Sequence, residues 1–390
     1  NGGIDASKFS INSLSGALSF SSVPDYESPS DSNSDNDYIV IVRATDSAGN
    51  TSDQTLTISV ADINEALWTQ VGSNIDGENA NENFGNAVAL SSDGSIIACG
   101  VRRATGLNGE KVVGHVRVFK NINNSWNQIG SAIDGENAYD MSGYCINISN
   151  DGSIVAIASP SNSGSSASNS GHVRVYRNTG KIWSQIGSDI DGENRLDAFG
   201  SHIDSDLSGD GSIIAIGWHN HGEGELESAG HVRIFKNINE NWVKIGDIDG
   251  EAKTDYSGWS VSLSDDGSVV AIGAVHNDGN GNKSGHVRIY KNISGNWIKV
   301  GSDIDGQSGD SVGYSVSLSN DGSVVALGGR PYGGDRGCVR IYKNLNNQWI
   351  QIGNDIVGEA IGDNSGWDVE LSSDGSIVAI GAPYSNSGRG

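Results

Sequence analysis

A tryptophan-led segment recurs along the chain at nearly constant spacing, and this repeat limits the possible folds more than any other feature. The tryptophans lie 52 to 59 residues apart, at Trp68, Trp126, Trp183, Trp242, Trp297 and Trp349. An Asp-Gly pair recurs in step with them, at Asp93, Asp151, Asp210, Asp266, Asp321 and Asp374. Self-similarity at a fixed period indicates an architecture built from stacked copies of one supersecondary unit.

Each copy predicts four short antiparallel strands. In the fourth copy, the alternating residues 261–264 precede the Asp-Gly pair, which is typical of tight hairpins. The nearly continuous apolar segment 268–273 follows, as expected for a strand that is covered on both faces. Residues 285–291 and 297–301 supply two more strands. Four strands repeated at this period, without helical periodicity, predict an all-β fold whose copies are the blades of a β-propeller.

Short motifs in the copies resemble a known repeat family. Phe84-Gly85 precedes an alternating strand, an Asp-Gly turn and an apolar strand, and the sixth copy contains Gly381-Ala-Pro383. These residues resemble the FG-GAP repeats of integrin α-subunit propellers. WD40 repeats are a weaker comparison, because the period here is longer and the Trp-Asp dipeptide is absent.

The repeats divide the chain into two predicted domains, residues 1–65 and a propeller over residues 66–390. Five copies contain four strands, whereas the sixth contains only the first two. We expect the chain to be an internal fragment whose ring of six or seven blades is completed by sequence outside these 390 residues. The strand at Trp68 would then close the ring as the outermost strand of the last blade.

Residues 1–65 predict part of a β-sandwich. Alternating segments at 37–46 and 55–62 indicate two antiparallel strands. Together with residues 9–11, 16–20 and 60–65, they resemble the C-terminal two-thirds of a cadherin repeat. The resemblance implies a Ca²⁺ ion, and the residues that match the family's ligands are Asp25, Glu27, Asp46, Asp62 and Asn64. Clustered carboxylates suit calcium, although solvated turn carboxylates would give the same pattern.

A second calcium site is predicted in the first hairpin of the third repeat, which reads as longer than the others. Its oxygen-bearing residues are Asp204, Asp206, Ser208 and Asp210. Alternate oxygens at this spacing can surround a calcium ion. A β-bulge with exposed acids is the alternative.

An acidic segment, Ile-Asp-Gly-Glu, connects most copies to the next. Its acids are Asp76, Glu78, Asp134, Glu136, Asp191, Glu193, Asp249, Glu251 and Asp305. One interpretation is a ring of acidic pairs that attracts cations or a basic ligand. The alternative is that Asp-Gly forms a turn and the acids stay solvated.

The sequence contains no familiar catalytic motif. No nucleophile elbow, phosphate loop or zinc triad is present, and the repeated histidines at the start of the third strand are interpreted as packing residues. We therefore predict a protein that is not an enzyme. The alternatives are a propeller hydrolase that acts on polysaccharide through two carboxylates near the ring axis, and a structural spacer.

The amino-acid composition excludes some classes of binding partner. Twenty-four basic and 48 acidic side chains give a net charge of −24, which argues against a nucleic-acid partner. No apolar run is long enough to span a membrane. With both resemblances, these features predict an extracellular or cell-surface adhesion protein that recognises a protein or glycan through the variable loops between second and third strands.

Overall fold

The computed structural model describes residues 2–12, 16–22, 24, 26, 29–61, 69–80, 82–102, 113–163, 170–193, 203–222, 227–330 and 336–385. The chain divides into two compact units, Asn1–Gln70 and Val71–Gly390. Within these residues, no helix has the length and apolar character needed to cross a bilayer.

The first unit contains two hairpins and an aromatic core. After the short 3₁₀ helix Ala6–Lys8, strand Phe9–Ile11 pairs with Leu18–Phe20, and the long strand Asp37–Thr45 pairs with Thr51–Ser59. The ring of Phe20 lies 4.5 Å from that of Phe9 and 5.1 Å from that of Tyr38. The long hairpin agrees with the two strands predicted at 37–46 and 55–62, while the sandwich and the likeness to a cadherin repeat stay predictions.

The second unit is built from copies of one sheet. The first strands are Phe84–Leu90, Ile146–Ile148, Asp204–Leu207, Ser257–Leu263, Val312–Leu318 and Asp368–Leu371. The second strands are Ile96–Val101, Ile154–Ser159, Ile213–Trp218, Val269–Ala274, Val324–Gly329 and Val378–Gly381. The third strands are His115–Ile122, His172–Asn178, His231–Ile238, His286–Ile293 and Cys338–Leu345. The fourth strands are Ser125–Gln128, Trp183–Gln185, Asn241–Asp249, Asn296–Lys299 and Gln348–Gln351.

Within each sheet the strands pair in chain order and all pairs are antiparallel. Four sheets contain a further two-residue strand, which follows the fourth strand in sequence and pairs with the third. These strands are Ile133–Asp134, Ile190–Asp191, Ile304–Asp305 and Ile356–Val357. Among the described residues, five sheets have all four strands and the sixth has its first two. The predicted all-β fold with four-stranded antiparallel blades is therefore confirmed.

The same hairpin turn joins the first two strands of every blade. In the fourth blade, the Ser264 hydroxyl donates to Asp266 Oδ1 and accepts the Val269 N–H at 2.9 Å. Gly267 has φ +65°, a conformation that strongly favours glycine. Backbone hydrogen bonds also join each turn to the next, as between Asp265 N–H and the Asn320 carbonyl. These contacts draw one end of the ring together.

Adjacent blades are joined by apolar packing and by a tryptophan hydrogen bond. Val316 and Leu318, on a first strand, pack against strands of the preceding blade. On the fourth strands, the Trp183 indole N–H donates to the Ile129 carbonyl of the preceding blade at 2.8 Å. Trp126, Trp242, Trp297 and Trp349 make the same bond. The repeated tryptophan therefore fixes the spacing between fourth strands.

We expect Trp183→Phe to lower the free energy of unfolding by about 1–2 kcal/mol, because it removes this hydrogen bond and part of the buried ring. Urea unfolding followed by circular dichroism measures the change. Trp367→Phe, where the ring lies at the mouth of the channel described below, is the matched control. An equal loss in both variants would contradict the proposed joining role.

Candidate functional site in the central channel

The first strands of all six blades surround a central channel of about 900 Å³. The linked hairpin turns lie at one end of the channel, where Asn150 Nδ2 donates to Asp265 Oδ1 from two blades away at 2.6 Å. Aromatic side chains line the opposite mouth. A concave site with few convergent polar groups is the usual form of a ligand pocket.

The first strand of each blade has one edge that pairs with the second strand and another that faces the channel. The backbone N–H groups on this free edge need hydrogen-bond acceptors. Side chains of the preceding blade supply them: Leu318 N–H donates to Ser262 Oγ at 3.1 Å, and Leu371 N–H donates to Ser317 Oγ at 3.0 Å. A serine hydroxyl is therefore sufficient for this structural task.

The third blade uses carboxylates at the same two positions. Asp204 Oδ2 accepts the Val261 N–H at 2.8 Å, and Asp206 Oδ2 accepts the Leu263 N–H at 2.7 Å. The sixth blade also carries acids there, Asp368 and Glu370, and all four acids line the channel. Two blades thus bring carboxyl groups to the axis where the fourth and fifth blades have serine.

The channel raises the pKa of three of these carboxylic acids. Burial, with the charges of Asp206 and Asp368, raises the pKa of Asp204 to about 7 despite its hydrogen bond from Val261. Burial also raises the pKa of Asp206 to about 6. Confinement in the channel, with the charges of Asp206 and Asp368, raises the pKa of Glu370 to about 7. The channel can therefore hold protons near neutral pH, as an acid–base site must.

Aromatic rings form a continuous surface at the channel mouth. The ring of Tyr314 lies 5.5 Å from that of Trp259 and 5.4 Å from that of Trp367. The Arg330 guanidinium lies 4.1 Å from the Trp367 ring centroid and donates to the Tyr314 hydroxyl at 3.0 Å. Trp259 is followed in sequence by Ser260, and Trp367 is followed by Asp368. The aromatic surface therefore adjoins the polar part of the channel.

Cys145 also lines the channel, with Sγ 3.8 Å from Asp204 Oδ1. Burial and the charge of Asp204 raise the pKa of its thiol to about 12. A thiol in this state is a poor nucleophile, so the chemistry of the channel rests on its carboxyl groups.

The structure corrects the calcium hairpin predicted in the third repeat. The turn is not longer than the others, because Leu207 pairs with Ile214 in the same register as Leu263 with Val270. Asp210 belongs to the common turn and accepts the Ser208 hydroxyl and the Ser212 N–H. Asp204 and Asp206 instead face the channel, so the four predicted ligands do not converge on one ion.

The acidic connections contact arginines of the third strands. Arg117 lies 3.1 Å from Glu78, Arg174 lies 3.4 Å from Glu136, and Arg288 lies 3.0 Å from Glu251. Glu193 pairs with Arg233 in the same way.

The aspartates of the same connections contribute backbone carbonyls. Those of Asp76, Asp134 and Asp249 accept arginine N–H groups. Asp191 and Asp305 lie opposite histidines in strand pairs. The arginines therefore neutralise much of the negative charge of these connections. Binding of a cation or a basic ligand by the acidic connections stays a prediction.

Of the predicted cadherin-like ligands, only Asp46 lies within the described residues. Its carboxylate accepts the backbone N–H groups of Ala48 and Asn50, and the Asn50 amide, so it stabilises its own hairpin turn. Asp25, Glu27, Asp62 and Asn64 lie outside the described residues, as do Trp68 and much of the variable loops. Calcium binding by the first unit therefore stays a prediction.

Comparisons with known proteins support the propeller. Residues 242–290 match the FG-GAP repeat family, which confirms this part of the resemblance over one copy. No curated protein matches the sequence. A protein of Bacteroides uniformis assigned as a 6-phosphogluconolactonase has a similar structure, with a TM-score of 0.53 and 14% identity over 77% of this chain and 79% of that one.

Two further structures are similar. A Bacteroides fragilis protein with the same assignment has a TM-score of 0.51 and 13% identity over 91% of this chain and 90% of that one. Hydrazine synthase of Kuenenia stuttgartiensis has a TM-score of 0.50 and 12% identity over 80% of this chain and 78% of that one. At such identity, the likeness shows the fold alone.

The prediction that the chain is not an enzyme is wrong. It rested on the absence of familiar motifs, whereas propellers of the same fold are assigned as 6-phosphogluconolactonases, which are enzymes. The sequence reasoning also missed Asp368 and Glu370. Aligning the copies on their first strands would have found them, because acids there replace the serine pair of the two preceding blades.

The raised pKa values predict that stability falls as pH increases. A carboxyl group whose folded pKa exceeds its unfolded value stabilises the fold at low pH, and this contribution is lost as pH rises through the folded pKa. For Asp204 and Asp206 this window runs from about pH 4 to about pH 7. We expect Asp204→Asn to raise the midpoint of thermal unfolding at pH 8, by about 1.5 °C for each kcal/mol of stability recovered.

The gain should shrink toward pH 4, where the wild-type group is largely protonated. Differential scanning calorimetry of both proteins across this range measures it, and Asp374→Asn in an exposed hairpin turn is the control. A variant that is less stable than the wild type at pH 8 would show that the Asp204 charge stabilises the fold.

Proposed function

We propose that the propeller is a hydrolase that cleaves a polysaccharide in its central channel. The observation that carries this proposal is the replacement of serine pairs by acids in two blades, where serine already satisfies the strand edge. A carboxyl group whose pKa is raised by its surroundings costs stability at neutral pH that a serine does not, so a structural role alone does not account for these residues. The channel acids therefore have a chemical role.

Asp204 is proposed as the general acid. Its pKa of about 7 keeps a substantial protonated fraction at neutral pH, so it can protonate the leaving oxygen of a glycosidic bond. Asp368, whose charge helps to raise that pKa and whose Oδ1 accepts the Ser315 hydroxyl, is proposed as the partner that takes a proton from water. Water then adds to the sugar carbon while the bond to the leaving oxygen breaks.

The aromatic mouth supports a sugar substrate. Trp259, Tyr314 and Trp367 present adjoining flat rings to the channel opening. Such rings offer apolar area with polar edges, which suits the faces of sugar rings while their hydroxyl groups bond to the Ser, Asp and Asn side chains below. Arg330 adds one hydrogen-bond donor at the rim.

Glycan-mediated adhesion at the cell surface is the second candidate, because the same aromatic mouth would serve recognition of a bound glycan. An extracellular location and calcium-dependent stiffening of the first unit belong to this proposal. Net negative charge and the cadherin-like motifs support them.

Release of reducing ends from a panel of neutral and acidic polysaccharides tests the hydrolase. We expect Asp204→Asn and Asp368→Asn each to lower kcat by about 10²-fold or more with little change in substrate binding. For the wild type, kcat/KM should fall as pH rises above about 7, because Asp204 loses its proton. Glu227→Gln, an exposed acid paired with Lys253, is the control.

Full activity in Asp204→Asn would contradict the assignment of the acid. Saturable binding of a glycan without turnover, abolished by Trp259→Ala and Trp367→Ala, would favour adhesion over hydrolysis.

A further inference from the structure

We propose that two blades of the propeller each bind a zinc ion, at sites separate from the channel. Each site has one histidine and two carboxylates whose ligand atoms all lie within 4.8 Å of one another. The two sets are Glu136, His172 and Asp189 in the second blade, and Glu251, His286 and Asp303 in the fourth. This inference does not depend on the proposed hydrolase activity.

Both sets are built in the same way. The histidine is the first residue of the third strand, at His172 or His286. The glutamate comes from the acidic connection that enters the blade, and the aspartate comes from the connection that leaves it. The fold therefore brings the three side chains together from segments about 53 residues apart, as a result of blade closure and not of local sequence.

The histidine of the first set is buried without a hydrogen bond. His172 is fully buried, and neither ring nitrogen has a hydrogen-bond partner. Its Nδ1 lies 3.5 Å from Asp189 Oδ2, which is longer than a good hydrogen bond. An unsatisfied buried polar group is costly, and a metal ion at this position would satisfy it. His286, at the same position of the fourth blade, is also buried, with 2% exposure.

The carboxylates can move to complete the coordination. A tetrahedral zinc ion with bonds of about 2.0–2.1 Å needs ligand atoms about 3.3 Å apart, so the separations within each set must shorten by up to about 1.5 Å. The side chains of Glu136 and Asp189 are 42% and 29% exposed. They can therefore turn toward the fixed imidazole without disturbing the core.

The nearby arginines have other acceptors. Arg174 lies 3.4 Å from Glu136 but also donates to the Asp134 carbonyl at 2.8 Å. Arg288 likewise donates to the Asp249 carbonyl at 2.9 Å. Each arginine thus keeps a hydrogen bond when its glutamate turns to the ion.

The donor set selects the ion. One imidazole and two carboxylates leave a fourth position for water, an arrangement that zinc accepts. Calcium and magnesium prefer six or more oxygen ligands, or mostly water. Among divalent metals at nitrogen and oxygen donors, zinc also binds more tightly than manganese or iron.

The corresponding positions in the other three complete blades are less suited to zinc, so we expect two zinc ions per chain. In the first blade, Ala132 occupies the aspartate position. In the third, His231, Asp247 and Asp249 form a similar group, but Asp247 contacts two cations, Arg233 and Lys244, which would compete with an ion, whereas Asp303 of the fourth blade contacts one, Lys299. The fifth has Cys338 in place of the histidine and Gln307 in place of the glutamate.

Isothermal titration calorimetry of the metal-free 390-residue protein with zinc chloride tests the proposal. The protein carries no polyhistidine tag, and millimolar calcium and magnesium saturate weak carboxylate sites. We expect two zinc ions per chain. Asp189→Asn should leave one, and Asp189→Asn combined with Asp303→Asn should leave none. Circular dichroism checks that each variant is folded.

Ala132→Asp is a gain-of-function test that loss of folding cannot imitate, because it completes the set formed by Glu78 and His115. We expect it to raise the stoichiometry to three. Glu227→Gln is the control and should bind two ions. Unchanged zinc stoichiometry in both the double variant and Ala132→Asp, or no saturable binding to the wild type, would overturn the proposal.

Discussion

The free inner edge of each first strand is the constraint on which the rest of the propeller depends. Such an edge places unpaired backbone N–H groups at the centre of the molecule, where each must find an acceptor. This protein supplies them from the preceding blade, through Ser262 and Ser317 in some blades and Asp206 in another. The same contacts hold neighbouring blades in register, so ring assembly and the lining of the channel come from one set of residues.

This dependence links the fold to the proposed chemistry. In the third, fourth and fifth blades this position supplies an acceptor to the next first strand, so exchanging serine for aspartate preserves the structural hydrogen bond while bringing a titratable group to the axis. Asp204 accepts the Val261 N–H through Oδ2, and the thiol of Cys145 lies 3.8 Å from its Oδ1. Confinement and neighbouring charge then raise the pKa values of Asp204 and Glu370 to about 7. The carboxyl groups are therefore positioned by the scaffold and protonated by their surroundings, which is the combination that general acid catalysis needs.

The fold could be predicted from the sequence because the propeller repeats locally. Each blade carries its own Asp-Gly turn, alternating first strand and apolar second strand within about 30 residues, and these signals need no knowledge of distant contacts. The channel could not be predicted in the same way, since Asp204 and Asp368 meet only when blades separated by three repeats face one axis. The spacing of Asp204, Asp206 and Asp210 resembled a calcium loop, but on a strand alternate side chains share one face while the turn residue leaves it. The acidic connections were also ambiguous, because sequence does not show that Arg174 or Arg288 reaches back to them.

Both the proposed catalysis and the pH dependence of stability require channel carboxyl groups that hold protons near neutral pH. Carbon-13 NMR of protein labelled at the aspartate side-chain carboxyl, titrated from pH 3 to pH 9, tests this most directly, with Asp204→Asn and Asp206→Asn assigning the resonances. Most aspartates should ionise below pH 5, while the resonances of Asp204 and Asp206 should shift between about pH 6 and pH 7. Complete ionisation of both residues below pH 5 would contradict this requirement.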